Sequence, residues 1–271
     1  MYKSIFLHHY IIYIMKITLL GTGTSQGVPV IACNCDVCLS NNPKDKRLRS
    51  SVMIEVDGQT IVVDTGPDFR QQMLRENVQK VDAILFTHEH KDHIAGMDDV
   101  RAFNHKWKKD MEVFTTERVG DALKREFHYV FSGNEYPGIP KVNINTINNT
   151  PFKVNDTEIV PIEVMHYKMP VFGFRIRDFV YITDVSYISN KEKEKIKDAD
   201  LLIVDSLRKK KHISHFNLDE SLKLIKEVNP KKALFTHISH FMGKHDDLIK
   251  ELPANVSPAF DGEVILFNNC K

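Results

Sequence analysis

Cysteine is scarce in this 271-residue chain, and three of its four copies sit together. Cys33, Cys35 and Cys38 fall within six residues, and Cys270 stands alone at the far end. Thiols spaced so closely cannot staple distant segments, so a disulfide framework is excluded and a reduced, cytoplasmic setting is expected. Charge of one sign is also missing. Thirty-seven basic side chains against 36 acidic ones leave a formal net charge of +1, so no global field draws nucleic acid or membrane. No linker rich in Gly, Ser or Pro divides the chain, and there is no internal repeat of roughly 20–50 residues. Long apolar runs are absent too. The longest candidate, Ile5 to Ile14, is interrupted by His8 and His9 and lacks a small-residue cleavage site. It is too short to span a bilayer and does not read as a secretory leader. Residues 1–14 therefore read as an N-terminal extension before Met15, and residues 15–271 as a single domain with no membrane partner.

Histidine is what the chain has in excess, with 13 copies clustered at the ends of apolar runs. The densest stretch is Thr87-His88-Glu89-His90-Lys91-Asp92-His93, directly after the apolar run Val81–Phe86. That run reads as a buried strand, which places the histidines where a strand breaks into a loop. His88 and His90 would point to one face. The chain then turns, and Asp92 and His93 can close on the same point. Imidazoles mixed with carboxylate suit zinc, manganese or iron, and two ligand pairs in one segment suggest two metals.

Strands are expected at Ile17–Leu20, Ser51–Val56, Thr60–Asp64, Ala83–Thr87, Glu112–Thr115 and Val142–Ile147. Others are expected at Glu158–His166, Gly173–Arg177, Phe179–Thr183, Leu201–Asp205, Ala233–Thr236 and Val264–Phe267. Asp57-Gly58 marks a hairpin turn. Helical patterns cover Asp68–Glu76, Ile94–His105, Glu117–Phe127, Glu192–Lys197 and Leu218–Val228, the last with Asn217 as its cap and Glu220 three residues on. The fold class is α/β (α+β): two packed sheets covered outside by helices. Three further ligand candidates end apolar strands, namely His166, Asp184 and His237. A ligand at such a position is held rigidly. Asp64 also ends a strand, but Asp92 already supplies a carboxylate there. Its role is to orient a ligating histidine, or to stabilise the turn at Gly66.

Together these residues resemble the HxHxDH and companion motifs of the metallo-β-lactamase superfamily, matched in order by Asp64-Thr65-Gly66, His166, Asp184 and His237. The resemblance covers roughly residues 15–271 and implies an αββα sandwich with the site along one edge. It implies that His88, His90 and His166 hold one divalent metal, that Asp92, His93 and His237 hold the second, and that Asp184 bridges them. Lactamases of this superfamily typically carry Cys in place of Asp184, so lactamase activity is not implied.

Gly21-Thr22-Gly23-Thr24-Ser25-Gln26-Gly27-Val28-Pro29, followed by Cys33-Asn34-Cys35-Asp36-Val37-Cys38, is similar to the PhnP-type phosphodiesterases. That similarity implies a structural zinc on Cys33, Cys35, Cys38 and His240. Three thiolates with one imidazole make a closed tetrahedral site. It also implies a catalytic role for His215, with His212 as the competitor, and a homodimer.

The implied reaction is hydrolysis of a small, often cyclic, phosphodiester. Two cations (Zn or Mn) activate hydroxide, and His215 assists the departing oxygen. The first alternative is an endonuclease of the kind that processes tRNA 3′ ends, which uses the same ligands. Such enzymes usually carry a long basic arm, whereas Phe131–Pro140 is short and not basic. The second is a cofactor-biosynthesis protein of the PqqB type, which shares the Cys triplet. A non-enzymatic metal-stabilised binding module would need the second metal site to be vacant.

Overall fold

Apolar side chains on both faces of successive strands build the molecule. The computed structural model describes residues 13–133 and 136–268. Most of the segment read as an extension, Cys270 and part of Phe131–Pro140 lie outside the described residues. The strands are β1 (Tyr13–Gly21), β2 (Ser51–Val56), β3 (Gln59–Val63), β4 (Ala83–Leu85), β5 (Met111–Thr115), β6 (Val142–Thr146), β7 (Phe152–Val154), β8 (Thr157–His166), β9 (Met169–Ile176), β10 (Phe179–Ile182), β11 (Leu201–Asp205), β12 (Lys232–Thr236), β13 (Val256–Pro258) and β14 (Val264–Asn268). They form two seven-stranded sheets, in the orders β14-β1-β2-β3-β4-β5-β6 and β13-β12-β11-β10-β9-β8-β7.

The period of two assigns each strand residue to a layer. In β2, Val52, Ile54 and Val56 face the space between the sheets, where they join Phe174, Tyr181 and Ile203 of the other sheet. Met53 and Val62 point the other way, onto Phe69, Met73, Phe103 and Val119 of the outer helices. In β11, Leu201 and Ile203 face inward, while Leu202 and Val204 meet Leu224, Ile225 and Leu248. The result is helix, sheet, sheet, helix. Strands buried on both faces read as continuous apolar runs, as β10 and β11 do.

β3 and β4 run parallel, as do β10, β11 and β12. Their C-terminal ends therefore share one edge, the place where open α/β sheets collect ligands. Asp64, His88, Asp184, Asp205 and His237 all lie at or just beyond these ends.

Several expected elements differ in their bounds: the helix expected over Glu192–Lys197 spans Asn190–Glu194, and the strand expected over Gly173–Arg177 begins at Met169. The helix expected over Ile94–His105 is three pieces: a turn at Lys91–Ile94, a 3-10 segment at Met97–Val100 and a helix at Arg101–Trp107. The break falls at Gly96, where a Cβ would stand 2.2 Å from the carbonyl oxygen of Gly66. Gly66 in turn presses on Asp92, whose carbonyl oxygen a Cβ there would meet at 2.1 Å. The loop after β3 is thus wedged against the histidine-rich loop, which a continuous helix would not allow. β1 begins at Tyr13, inside the segment read as an extension, because Tyr13 pairs with Asn268 of β14.

Candidate active site

Six histidines and four aspartates converge at the shared edge. Asp64, at the end of β3, is fully buried. It accepts from the backbone N–H of Thr87 (2.9 Å) and the Thr87 hydroxyl (2.8 Å), and it faces Nδ1 of His93 at 2.7 Å. The Thr87 oxygen also lies 2.9 Å from Nδ1 of His88. Because the Thr87 proton goes to Asp64, His88 must donate from Nδ1. Asp64 thus orients His93 directly and His88 through Thr87, leaving both Nε2 atoms free to point inward. Burial raises the Asp64 pKa against the pull of His93. His166 uses Nδ1 to donate to the Ser214 carbonyl at 2.7 Å, which frees its Nε2 in the same way.

The inward atoms crowd one another. Nε2 of His88 stands 3.0 Å from Nδ1 of His90. Nε2 of His93 lies 3.1 Å from Asp92 Oδ2 and 3.2 Å from Asp184 Oδ2. Nε2 of His237 lies 3.4 Å from Asp184 Oδ1 and 3.6 Å from Asp92 Oδ2. Nε2 of His93 and both nitrogens of His237 are buried with no hydrogen-bond partner. A tetrahedral ion with bonds of roughly 2.0–2.1 Å puts its donor atoms about 3.3 Å apart. The observed spacings match that edge, and a cation would satisfy nitrogens that are otherwise stranded. The donor set therefore fits metal ions. Groups able to hold one are His88/His93/Asp184, His90/His166/Asp184, Asp92/His93/His237 and Asp184/His215/His237. Asp184 belongs to three of the four.

Electrostatics follow from the same crowding. Burial lowers the His88 pKa well below its ordinary value and also lowers that of His166. Burial opposes ionisation of Asp184, but His237, His93 and His88 outweigh it and hold its carboxyl low. Asp92 is likewise held low by His93 and His237 against its own burial. Asp64, Asp184 and His237 all adopt left-handed backbone conformations, with φ of 62°, 54° and 55°. Such values are uncommon for non-glycine residues and concentrate at functional sites.

Asp205 is the member that sequence reasoning missed. Its Oδ2 sits 2.9 Å from Nδ1 of His215, and its Oδ1 3.9 Å from Nδ1 of His237. It ends the apolar run Leu201-Leu202-Ile203-Val204, the same pattern that singled out Asp184, so the signal was present. Burial lowers the His215 pKa but Asp205 prevails, raising it to about 9. His212 stands outside this contact, with Nδ1 against the Ser214 hydroxyl at 3.2 Å. Arg208, Lys209, Lys210 and Lys211 form a basic run nearby, and it is partly tied up. Arg208 closes its own loop on the carbonyls of Lys210 and Lys211, and Lys209 pairs with Glu251 at 2.6 Å.

A second cluster lies alongside. Nδ1 of His240 is 3.2 Å from the sulfur of Cys33 and 3.4 Å from those of Cys35 and Cys38. Zinc bonds of roughly 2.3 Å to sulfur and 2.0–2.1 Å to nitrogen give a tetrahedral S···N edge of about 3.5 Å, so these four fit zinc. The Cys38 N–H leads in pulling the Cys35 thiol down to about 6, while burial pushes the Cys38 thiol up to about 11. A bound zinc would hold all three deprotonated. The cysteine loop joins the segment carrying His237 through backbone bonds from Thr24 N–H to Ile238 O (3.2 Å) and from Ile238 N–H to Thr22 O (2.9 Å).

Residues 59–238 match the family model described as the beta-lactamase superfamily domain. The chain belongs to the β-lactamase superfamily. Within it, the chain is 36% identical over 94% of its length to a crystal structure described as a new diphosphatase from the PhnP family. That similarity covers 99% of the diphosphatase chain, with a TM-score of 0.88. It is 25% identical to the probable metallo-hydrolase YhfI of Bacillus subtilis, over 84% of this chain and 93% of that protein. It is also 36% identical to an octanoyltransferase of Porphyromonas gingivalis over 92% of this chain, but spans only 51% of that protein. Membership in this superfamily and the similarity to the diphosphatase structure give the chain the metallo-β-lactamase sandwich. Among the described residues, no helix is long and apolar enough to cross a membrane.

Proposed function

We propose that this chain hydrolyses small phosphodiesters, cyclic ones included, using two divalent cations (zinc or manganese) at the strand ends and one structural zinc. The observation that carries the reading is Asp184. A single buried carboxylate faces His93, His237, His88 and His215 at 3.2, 3.4, 3.9 and 3.8 Å. In this reading His88, His90 and His166 would hold one cation and Asp92, His93 and His237 the other, with Asp184 available as a ligand to either. With cations bound, the site would supply water whose pKa is lowered towards about 7 and positive charge facing the phosphoryl oxygens.

The chain's own residues do the rest. Asp64 and Thr87 fix the ring orientations of His93 and His88. Ser214 fixes His166. Asp205 keeps a proton on His215, which stands beside Asp184 and can deliver it to the departing oxygen. No covalent bond to the protein is required. The similarity to the PhnP-family diphosphatase supports a phosphate-containing substrate. Arg208 and Lys209, engaged within their own surface, offer little grip for a long nucleic acid.

His215→Ala tests the proton-donor role. Turnover of an alkyl phosphodiester should fall by about 10²–10⁴-fold. Turnover of a p-nitrophenyl diester, whose leaving group needs no proton, should fall by less than about tenfold. Equal losses on both substrates, measured by steady-state kinetics, would rule the role out. A second reading rests on the octanoyltransferase match, in which the same site hydrolyses a medium-chain acyl thioester. A panel of diesters and octanoyl thioesters separates the two, and only diester turnover supports the first.

A further inference from the structure

We propose that Tyr167 and Tyr187 form a subsite that stacks the base of a nucleoside phosphodiester. This inference rests on the phosphodiesterase reading above. The β8–β9 hairpin closes with His166 opposite Met169, so Tyr167 and Lys168 are its two turn residues. Tyr167 has φ of 57°. At the first central position of such a turn glycine is favoured, because a side chain there is strained. Tyr167 accepts that strain without the compensation of burial, since it is 51% exposed.

The tip is held in place. The Ser186 hydroxyl accepts from the Tyr167 N–H at 2.8 Å and donates to the Met165 carbonyl at 2.8 Å. Tyr187, 60% exposed, pairs through its backbone with Met165, two residues from Tyr167. Each ring is therefore attached to a segment that carries a central site residue: Tyr167 follows His166, and Tyr187 comes three residues after Asp184. Ile213, also exposed, lies next to Ser214, whose carbonyl holds His166. The Lys168 ammonium sits 5.3 Å from the Tyr167 ring centroid.

The left-handed φ is shared by the first turn residues Asp57, Asn155 and Arg177 of the other hairpins, so what points to ligand contact is two exposed rings, each on a segment that carries a site residue. Flat rings carrying hydroxyls, with a cation at the rim, suit a planar base attached to phosphate. A saturated acyl chain is better held by an enclosed apolar wall.

The test uses two p-nitrophenyl diesters, thymidine 5′-(p-nitrophenyl phosphate) and methyl p-nitrophenyl phosphate, which share a leaving group and differ in the base. The variant is Tyr167→Gly, which should keep or raise the melting temperature because glycine suits the turn. Its kcat/KM on the thymidine substrate should fall about tenfold or more, chiefly through KM. On the methyl substrate it should change by less than about twofold. Tyr167→Phe should restore the thymidine value. Equal effects on both substrates, or no effect on either, would overturn the subsite. So would a lowered melting temperature with a uniform loss, which would mark Tyr167 as a structural residue. If the wild-type protein hydrolyses neither diester, the phosphodiesterase reading itself fails, and this inference with it.

Discussion

Asp184→Ala should abolish phosphodiester turnover, by about a thousandfold or more, while both sheets stay folded. The expectation follows from position. Asp184 is 2% exposed and its two oxygens face imidazoles from three separate segments, those carrying His88 and His93, His215, and His237. Removing it leaves those imidazoles without their shared carboxylate and takes a donor from both proposed cations. Metal content should fall from three per chain to one. The backbone there is left-handed, which Ala tolerates less well than Asp, at a cost of about 1–2 kcal/mol. Asp184→Asn avoids that cost and removes only the charge. Both variants should lose turnover, and the Asn variant should keep the wild-type circular dichroism spectrum. Turnover within tenfold of wild type in either variant would remove Asp184 from the chemistry.

Replacing Cys33, Cys35 and Cys38 together by Ser should remove one metal per chain and loosen the loop they occupy. Between β1 and β2 that loop has only a 3-10 turn at Pro43–Asp45 as regular structure, so it depends on side-chain ties. Structural zinc binds with roughly 10–16 kcal/mol of apparent free energy in small domains, of the same size as a whole protein's stability. Retaining even about a third of that here lowers the melting temperature by on the order of 10 °C in a chain this long. Hydrogen exchange should speed up across residues 24–42, and turnover should weaken because Ile238, next to His237, pairs with this loop. Unchanged metal content in the triple variant, measured by elemental analysis, would refute the zinc.

Much of the site was legible because one local rule locates it. A polar residue ending an apolar strand lies at the sheet edge, and that rule found Asp64, His166, Asp184 and His237. Applied to Leu201–Asp205 it also yields Asp205, which the histidine-centred reading passed over. The union of Cys33, Cys35 and Cys38 with His240 spans some 200 residues, and no local pattern encodes such a contact; only the family resemblance suggested it. The broken helix after the histidine run was hidden for a different reason. Gly96 gives way to the Gly66 carbonyl, a tertiary contact that helical periodicity does not register. The short strands β7 and β13 were missed because three residues carry too little pattern. The left-handed conformation of Tyr167 was invisible for the same kind of reason, since a Lys or Tyr in a turn gives no sign of φ.

The most direct test of a two-metal phosphodiesterase is turnover of a p-nitrophenyl diester titrated with Mn²⁺. The starting protein would be stripped by a chelator until one tightly held zinc per chain remains. Activity should be near zero at the start, rise with added Mn²⁺ and break at two equivalents per chain. A break at one equivalent, or full turnover before any Mn²⁺ is added, would contradict it.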